Sequence, residues 1–188
     1  MDETVIRAMD KWPDVPAVFG WLSLSRRGEW LIRGERIPHR ASCAFISRNY
    51  AGDDQGRWFF QNGPQRVYVA LEYTPWVIGL DAGGGLVTHT GTSIGAPEAV
   101  WLDDAGNLLL MTELGIGVLD DRDLDAISTR LRHAGEGRND ELLEQAVAET
   151  RSGRAGNLNF VWEGRTLTVG SVARAEVAKR FGFDPAPG

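Results

Sequence analysis

The chain has 188 residues, of which 43% are hydrophobic and 24% are charged, proportions that are ordinary for one or two globular domains. Its net charge of −6 excludes the overall positive field that nucleic-acid-binding proteins normally carry. The basic clusters at residues 26–27 and 33–40 are short, and Glu29 and Glu35 interrupt them. We therefore expect no nucleic-acid partner.

Cys43 is the single cysteine of the chain, so an intrachain disulfide is excluded, in keeping with a reducing compartment. Residues 1–4 are acidic, and no basic region followed by an apolar run comes after them, which predicts no secretion signal. No stretch approaches the roughly 18 apolar residues of a membrane span. These features favour a protein of the bacterial cytoplasm that does not contact a membrane.

The first half of the chain predicts short helices between β-hairpins. Asp2 can cap a helix over residues 2–12, which Pro13 and Pro16 end. Apolar and polar residues that alternate on either side of glycine-containing turns indicate the hairpins. In chain order, the other predicted elements are strands 19–25 and 30–33, a helix over 38–48, a turn at 51–56, strands 58–61 and 66–73, and strands 76–80 and 86–90.

The second half predicts further hairpins and three more helices. Leu124, Ile127 and Leu131 have helical spacing, and Gly135 is a fitting end for that helix. Asn139 is the predicted N-cap of the next helix. Ser171 is the predicted cap of a short C-terminal helix. The predicted strands are 99–102, 107–112, 116–119, 157–162 and 165–169.

Strand pairs outnumber helices and no βαβ pattern repeats, so the sequence predicts an α+β fold of small antiparallel sheets with short helices. The stretch 90–98, which contains glycine and proline, is the expected seam between two subdomains, residues 1–95 and 96–188. The sequences of segments 30–34 and 162–164 are weakly similar, and each segment is followed by a predicted strand and a short helix. Either a common hairpin motif recurs, or the two halves are duplicated.

An ordered set of short motifs runs through residues 20–80. In chain order, these motifs are Gly28-Glu29-Trp30, Gly34-Glu35-Arg36-Ile37, Phe45, Asp53-Asp54-Gln55-Gly56-Arg57-Trp58, Val67-Tyr68-Val69 and Thr74-Pro75. In their order and spacing, they make the first half resemble the bacterial domain-of-unknown-function family numbered 1285. The resemblance implies a two-part α+β fold, and it implies no activity because that family is functionally unassigned.

Cys43 and His39 are the strongest catalytic candidates. They lie four residues apart on a predicted helix and would share a face, where an imidazole could activate the thiol as a nucleophile. His89 or Asn49 could orient the pair only if the fold brings one of them near. The alternative is that Cys43 is a small buried side chain, which is the commoner role of a lone cysteine.

No metal site is predicted. The acidic run 120–125 fails as a calcium loop, because Ala126 stands where glycine is required and Arg132 where a bidentate glutamate is required. The histidines are far apart in sequence and lack the spacing of zinc ligands. These histidines are His39, His89 and His133.

Two glycine-containing segments, 81–85 and 115–117, could be taken for phosphate-binding loops. The first lacks a following lysine with serine or threonine, and in the second Asp120 stands where a dinucleotide loop needs its third glycine. Hairpin turns and strand glycines explain both segments, so we expect no cofactor.

The turn at residues 61–66 is the strongest candidate for ligand binding. Its glutamines, asparagine and arginine offer many hydrogen-bond donors beside an aromatic wall, a combination that suits a carboxylate or carbonyl ligand. The alternative is an ordinary hairpin turn in which Arg66 pairs with Glu72 or Asp53. The predicted ligand-binding residues are Asn62, Gln65, Arg66, Tyr68 and Trp76.

Because no catalytic constellation is complete, the favoured function is a non-enzymatic binding or interaction module of unknown ligand. Such a module could self-associate to cover its open sheet edges. Its partner would be a small-molecule carboxylate or a protein. One alternative is a small hydrolase or transferase that uses Cys43 and His39, or a carboxylate such as Glu72. Another alternative is a structural accessory protein of a larger assembly.

Overall fold

The computed structural model describes residues 1–12, 15–135, 139–154 and 156–188. Two compact units each contain one β-sheet and short helices, which confirms the α+β class. The subdomain division predicted at residue 95 stays a prediction, because compactness alone does not test independent folding. Unit 1 spans Met1–Pro75, His89–Gly91 and Ala178–Gly188, and unit 2 spans Trp76–Thr88 and Thr92–Val177.

A six-stranded sheet forms the centre of unit 1. Its strands are β1 (Val18–Leu24), β2 (Trp30–Ile32), β3 (Glu35–Arg36), β4 (Tyr50–Gly52), β5 (Trp58–Asn62) and β6 (Gln65–Leu71). Their order across the sheet is β3-β2-β1-β6-β5-β4. Strands that follow one another in sequence pair as antiparallel hairpins, whereas β1 and β6 are parallel. The β2–β3 turn, Arg33-Gly34, has positive φ at both residues (52° and 84°), as a tight hairpin requires.

Two helices flank this sheet, α1 (Glu3–Lys11) and α2 (Arg40–Arg48). α2 packs on one face of the sheet, where its Ile46 is buried and its Phe45 ring meets Phe60 edge-on with ring centroids 5.4 Å apart. Because side chains alternate along a strand, Phe60 and Val67 share this face, while Phe59 and Tyr68 face the other way.

An eight-stranded sheet forms the centre of unit 2. Its strands are β7 (Trp76–Leu80), β8 (Leu86–Thr88), β9 (Ala99–Asp103), β10 (Leu108–Thr112), β11 (Gly115–Leu119), β12 (Leu131–His133), β13 (Leu158–Trp162) and β14 (Arg165–Val172). Their order is β12-β13-β14-β9-β10-β11-β7-β8. The β14–β9 and β11–β7 pairs are parallel, and the others are antiparallel.

The remaining helices are α3 (Leu124–Ser128), α4 (Asp140–Arg151) and α5 (Val177–Phe181). α4 begins at its predicted cap, since the Asn139 side chain accepts a hydrogen bond from the backbone N–H of Leu142. Ala146 and Thr150 form its buried side. Within the described part of the chain, no helix is both long and apolar enough to span a membrane.

The sheets differ from the predicted antiparallel type, because each is mixed. Turn signals between neighbouring segments predict hairpins, and those hairpins form. A parallel pair joins segments that are distant in sequence, and no local signal marks such a partner. The prediction was therefore correct for adjacent strands and wrong for the β1–β6, β7–β11 and β9–β14 pairs.

Two local predictions in the second half are also wrong. The helix predicted through Leu131 ends at Ser128, because Leu131 pairs with Phe160 in the β12–β13 ladder. Ser171 lies within β14 instead of capping a helix. The short 3-10 turn that follows is linked instead to Asp104, whose side chain accepts a hydrogen bond from the backbone N–H of Arg174 at 2.8 Å.

Candidate functional site

A cavity of about 740 Å³ lies within unit 1 beside α2. One flank of α2 provides much of its wall, and the β1–β2 turn, the segment after β3 and residues 89–91 provide the rest. We call it the arginine-lined cavity. Its lining residues are Gly28, Glu29, Trp30, Arg36, Ile37, Pro38, Arg40, Cys43, Ala44, Ser47, Arg48, His89, Thr90 and Gly91.

The sequence of α2 explains why one flank of the helix faces this cavity. Phe45 and Ile46 face the sheet, whereas Arg40, Ala44 and Arg48 recur every fourth residue and line the cavity together. The small Ala44 leaves room between the two arginines. α2 thus fixes the spacing of two positive side chains along one wall.

Three arginines, Arg36, Arg40 and Arg48, line the cavity, whereas Glu29 is the one acidic residue among the described residues of its lining. The Arg36 guanidinium lies 3.2 Å from Glu29, and both side chains are substantially exposed. Arg48 lies 3.3 Å from Asp2, which is outside the lining. Among the residues that the structure describes, Arg40 has no carboxylate within ion-pair distance.

His89 and Trp30 form the inner part of the wall. The two rings meet edge-on with centroids 5.3 Å apart, and His89 also meets the Tyr50 ring at 5.6 Å. The Trp30 indole N–H donates to the Ser47 hydroxyl at 3.1 Å, which ties β2 to α2. Burial lowers the pKa of His89 from 6.5 to about 3, so its imidazole is neutral at physiological pH.

The predicted Cys43–His39 pair is only partly assembled. Cys43 lines the cavity, and its thiol donates a long hydrogen bond to the carbonyl of Ile37 at 3.5 Å. His39 is not among the lining residues; it is the exposed N-cap of α2, and its Nδ1 lies 3.4 Å from the backbone nitrogen of Ser42. The histidine that shares the cavity with Cys43 is therefore His89.

A second concavity in unit 1, which we call the apolar groove, has a volume of about 360 Å³. It shares no lining residue with the arginine-lined cavity. Two of its residues, Trp21 and Ile32, are about half exposed, at 51% and 47%. Its lining residues are Val18, Trp21, Leu22, Ile32, Ile46, Phe60, Asn62, Gln65 and Val67.

The five predicted ligand-binding residues do not converge on one site. Asn62 and Gln65 line the apolar groove. Arg66 and Tyr68 lie on the opposite face of the sheet, because they alternate with Gln65 and Val67 along β6. Trp76 belongs to unit 2, where its indole N–H donates to the carbonyl of Leu114 at 2.8 Å. Whether any of these residues binds a ligand stays a prediction.

Arg66 and Tyr68 have other contacts on that face. The Arg66 guanidinium lies 4.6 Å over the Phe59 ring, and Tyr68 stacks on Phe19 at 4.6 Å. The Tyr68 hydroxyl donates to Asp53 at 3.1 Å. Burial alone would raise the pKa of the Asp53 carboxyl, but hydrogen bonds from Arg57 outweigh it and hold this pKa below its usual value.

Two carboxylates of the acidic run 120–125, those of Asp120 and Asp123, form hydrogen bonds with other groups of the chain. Both side-chain oxygens of Asp120 accept from the Arg122 guanidinium, and Asp123 accepts from the backbone N–H of Leu80 at 2.9 Å. In the described ranges, no cluster of three or more His, Cys, Asp or Glu residues could hold a metal ion. The segment 81–85 is a β7–β8 hairpin turn whose N–H groups bond to Asp81.

Sequence reasoning missed the arginine-lined cavity, although a signal was present. Residues 26–48 contain six arginines and two glutamates, a local excess of four positive charges in an acidic chain. The clusters at residues 26–27 and 33–40 give only a weak signal, because they are short and Glu29 and Glu35 interrupt them. Folding β2, β3 and α2 together places Arg36, Arg40 and Arg48 around a common space.

The fold is similar to that of a solved DUF1285 family protein from Silicibacter pomeroyi DSS-3, with a TM-score of 0.54 and 14% identity over 83% of this chain and 82% of that chain. This similarity confirms, at the level of the fold, the resemblance predicted from residues 20–80. A DUF1285 family protein from Shewanella baltica OS155 has a TM-score of 0.43 and 19% identity over 57% of this chain and 90% of that chain. No curated protein matches the chain.

A sequence model of the family DUF2944, described as "Protein of unknown function (DUF2946)", matches residues 1–188. This match covers both units of the fold. Neither its description nor those of the two solved structures states a ligand or an activity. The chain belongs to this family of proteins of unknown function.

Proposed function

We propose that the chain is a non-enzymatic binding module whose arginine-lined cavity holds a small anionic molecule such as a carboxylate. The observation that carries this proposal is the convergence of Arg36, Arg40 and Arg48 on one space, where Glu29 is the one acid among the described lining residues. The volume of about 740 Å³ lies within the range of about 300 to 1,000 Å³ that is usual for small-molecule sites. A cytoplasmic location and self-association, both expected from the sequence, stay predictions.

The distribution of charge supports an anionic ligand. Unit 1 contains 12 Lys and Arg residues against 10 Asp and Glu residues, and unit 2 contains 8 against 16, so their net charges are +2 and −8. The positive excess of unit 1 is concentrated in residues 26–48, which provide most of the cavity wall. Guanidinium groups bind carboxylate and phosphate oxygens with two parallel hydrogen bonds, which gives such a site both strength and orientation.

Arg40 is the residue on which we expect an anion to depend most. The positive charges of Arg36 and Arg48 are each offset by a nearby carboxylate, whereas Arg40 has no such partner among the described residues. An anion at Arg40 would also lie near the first turn of α2, whose backbone N–H groups favour negative charge. Binding would thus neutralise a charge that no carboxylate of the described residues offsets.

Calorimetric titration with acetate, succinate, citrate and inorganic phosphate tests the proposal. We expect at least one of these anions to bind, and Arg40→Ala to weaken that binding by about tenfold or more, since a lost charge-assisted bond is worth about 1.5 to 3 kcal/mol. Arg7→Ala is the matched control: it removes the same charge from an exposed position of α1, outside the cavity. Absence of binding by all four anions, or equal losses in both variants, would contradict the proposal.

One observation favours a second candidate, a small hydrolase or transferase with Cys43 as the nucleophile. Cys43, His89 and Glu29 line the same cavity. In such a reaction, the thiol would pass its proton to the imidazole and attack an acyl carbon, and the expelled alcohol would take up that proton. An imidazole with a pKa of about 3 is a weak base at neutral pH, which is why we prefer the binding function.

Iodoacetamide labelling distinguishes the two candidates. If Cys43 is an activated nucleophile, its labelling rate should exceed that of free cysteine at pH 7, and His89→Phe should slow the reaction. For a binding module we expect slow labelling that His89→Phe leaves unchanged. Saturating anion should also slow labelling in that case, because Cys43 lines the occupied space.

A further inference from the structure

The apolar groove contains large hydrophobic side chains that are exposed to solvent. Among the described residues, eight large hydrophobic side chains are exposed, and six of them precede residue 33. Two of these six, Trp21 and Ile32, line the groove itself. Contiguous exposed apolar surface of this kind marks interaction sites in soluble proteins.

The backbone explains why β1 exposes this surface. Gly20 has a φ of +73°, and the register between β1 and β6 shifts between Val18 and Leu22. The irregularity interrupts regular alternation, so that residues 19–21 are all exposed while Leu22 and Leu24 remain buried. Trp21 is therefore held at the surface by the local backbone.

The charge around the groove indicates which partner would fit. The Arg33 guanidinium lies 4.2 Å from the centre of the Trp21 ring, and none of the described residues that line the groove is acidic. Tryptophan and arginine are the residues that most often dominate the energy of protein interfaces.

These charges disfavour a symmetric pair of copies joined through this groove. A two-fold interface would bring the same surface of each copy together, including both Arg33 side chains. Like charges that meet at an interface oppose association. An acidic partner avoids this repulsion and pairs with Arg33.

We propose that the apolar groove docks the hydrophobic face of an acidic, amphipathic segment of another protein. The apolar side chains of that segment would cover Trp21 and Ile32 and enter a space of about 360 Å³. Its carboxylates would pair with Arg33. This proposal is independent of the arginine-lined cavity, since the two sites share no lining residue.

A pair of synthetic helical peptides provides the test. Both peptides carry leucine and tryptophan at helical spacing on one face. At all remaining positions, one peptide has glutamate and its counterpart has lysine. We expect fluorescence anisotropy to show binding of the acidic peptide, roughly tenfold weaker in Ile32→Glu than in the unmodified protein. Leu142→Glu is the matched control, because Leu142 is 44% exposed, close to the 47% of Ile32, but lies in unit 2.

The proposal is overturned if neither peptide binds, if the basic peptide binds as tightly as the acidic one, or if Leu142→Glu weakens binding as much as Ile32→Glu. Multi-angle light scattering of the protein alone adds a further test. A dimer that Ile32→Glu abolishes would identify a second copy as the occupant and would also overturn it. A fall in peptide affinity with added salt is expected, because the interaction includes charge pairs.

Discussion

In unit 2, the central strand β10 buries four of its five residues, and β11 does the same. In unit 1, the central strand β1 has three consecutive exposed residues, including Phe19 and Trp21. The two units also differ in net charge, which is −8 for unit 2 and +2 for unit 1. One unit therefore uses its sheet mainly to form a core, while the other leaves apolar and positively charged surface available for binding.

The largest effect should come from the core of unit 2. Phe160 is completely buried, so we expect Phe160→Ala to lower the free energy of unfolding by about 3 to 5 kcal/mol. Trp21→Ala in unit 1 should lower it by less than about 1 kcal/mol, because Trp21 is 51% exposed. Urea denaturation measures both values. Equal losses would show that Trp21 supports the fold, which would contradict the contrast drawn between the two units.

The second effect concerns acid stability and depends on His89. Because the pKa of His89 falls to about 3 on folding, the unfolded chain binds this proton more readily, and stability is lost as pH falls from about 6.5 to 3. Between pH 6 and 4 we expect this residue to contribute a loss of about 2 to 3 kcal/mol. Urea denaturation at each pH measures the free energy of unfolding. His89→Phe should remove this contribution to its dependence on pH, while His133→Gln in unit 2 should leave the contribution of His89 in place.

A third pair of variants tests the wall of the arginine-lined cavity. Gly28 and Gly34 both have positive φ, so alanine is strained at either position. A Cβ at Gly28 would also lie 2.6 Å from the Cβ of His89, whereas a Cβ at Gly34 would have no neighbour within 4 Å. We expect Gly28→Ala to cost about 1 to 3 kcal/mol more than Gly34→Ala by urea denaturation. Equal losses of unfolding free energy in the two variants would mean that the His89 side chain can move away from the added Cβ and does not form a fixed wall.

The smallest effect compares the N-caps of the two longest capped helices. The Asn139 side chain accepts from the Leu142 N–H at 3.1 Å, so Asn139→Ala should cost about 1 kcal/mol in unfolding free energy. The corresponding contact of His39 in α2 is 3.4 Å long, and His39→Ala should cost less than half as much. A loss of unfolding free energy in His39→Ala as large as that in Asn139→Ala would contradict this prediction, because it would show that α2 depends on its N-cap as strongly as α4 does.

The hairpins and the helices α2 and α4 could be predicted because their causes are local. Arg33-Gly34 and Glu163-Gly164 both form tight turns in which an ordinary residue and a glycine adopt positive φ. Phe45 and Ile46 mark the buried face of α2, and Asn139 marks the start of α4. Leu131 shows the limit of this reasoning, since its helical spacing was overridden by pairing with Phe160.

The candidate site was harder to predict because its residues meet only in the folded chain. Cys43 was singled out, but the nearby His39 was chosen as its partner on sequence spacing. His89 lies 46 residues further along the chain and reaches the same cavity through tertiary packing. Arg36 and Arg40 belong to one short basic cluster of the sequence, but Arg48 joins them only where the segment after β3 and α2 line a common space.

The α+β class, the hairpins and most helix positions can be recognised in the sequence, because backbone preferences and side-chain periodicity act over a few residues. The parallel pairs and the contents of the arginine-lined cavity and the apolar groove arise only on folding. Segments distant in sequence come together through the burial of apolar surface, which is non-directional and carries no local signal of the final neighbour.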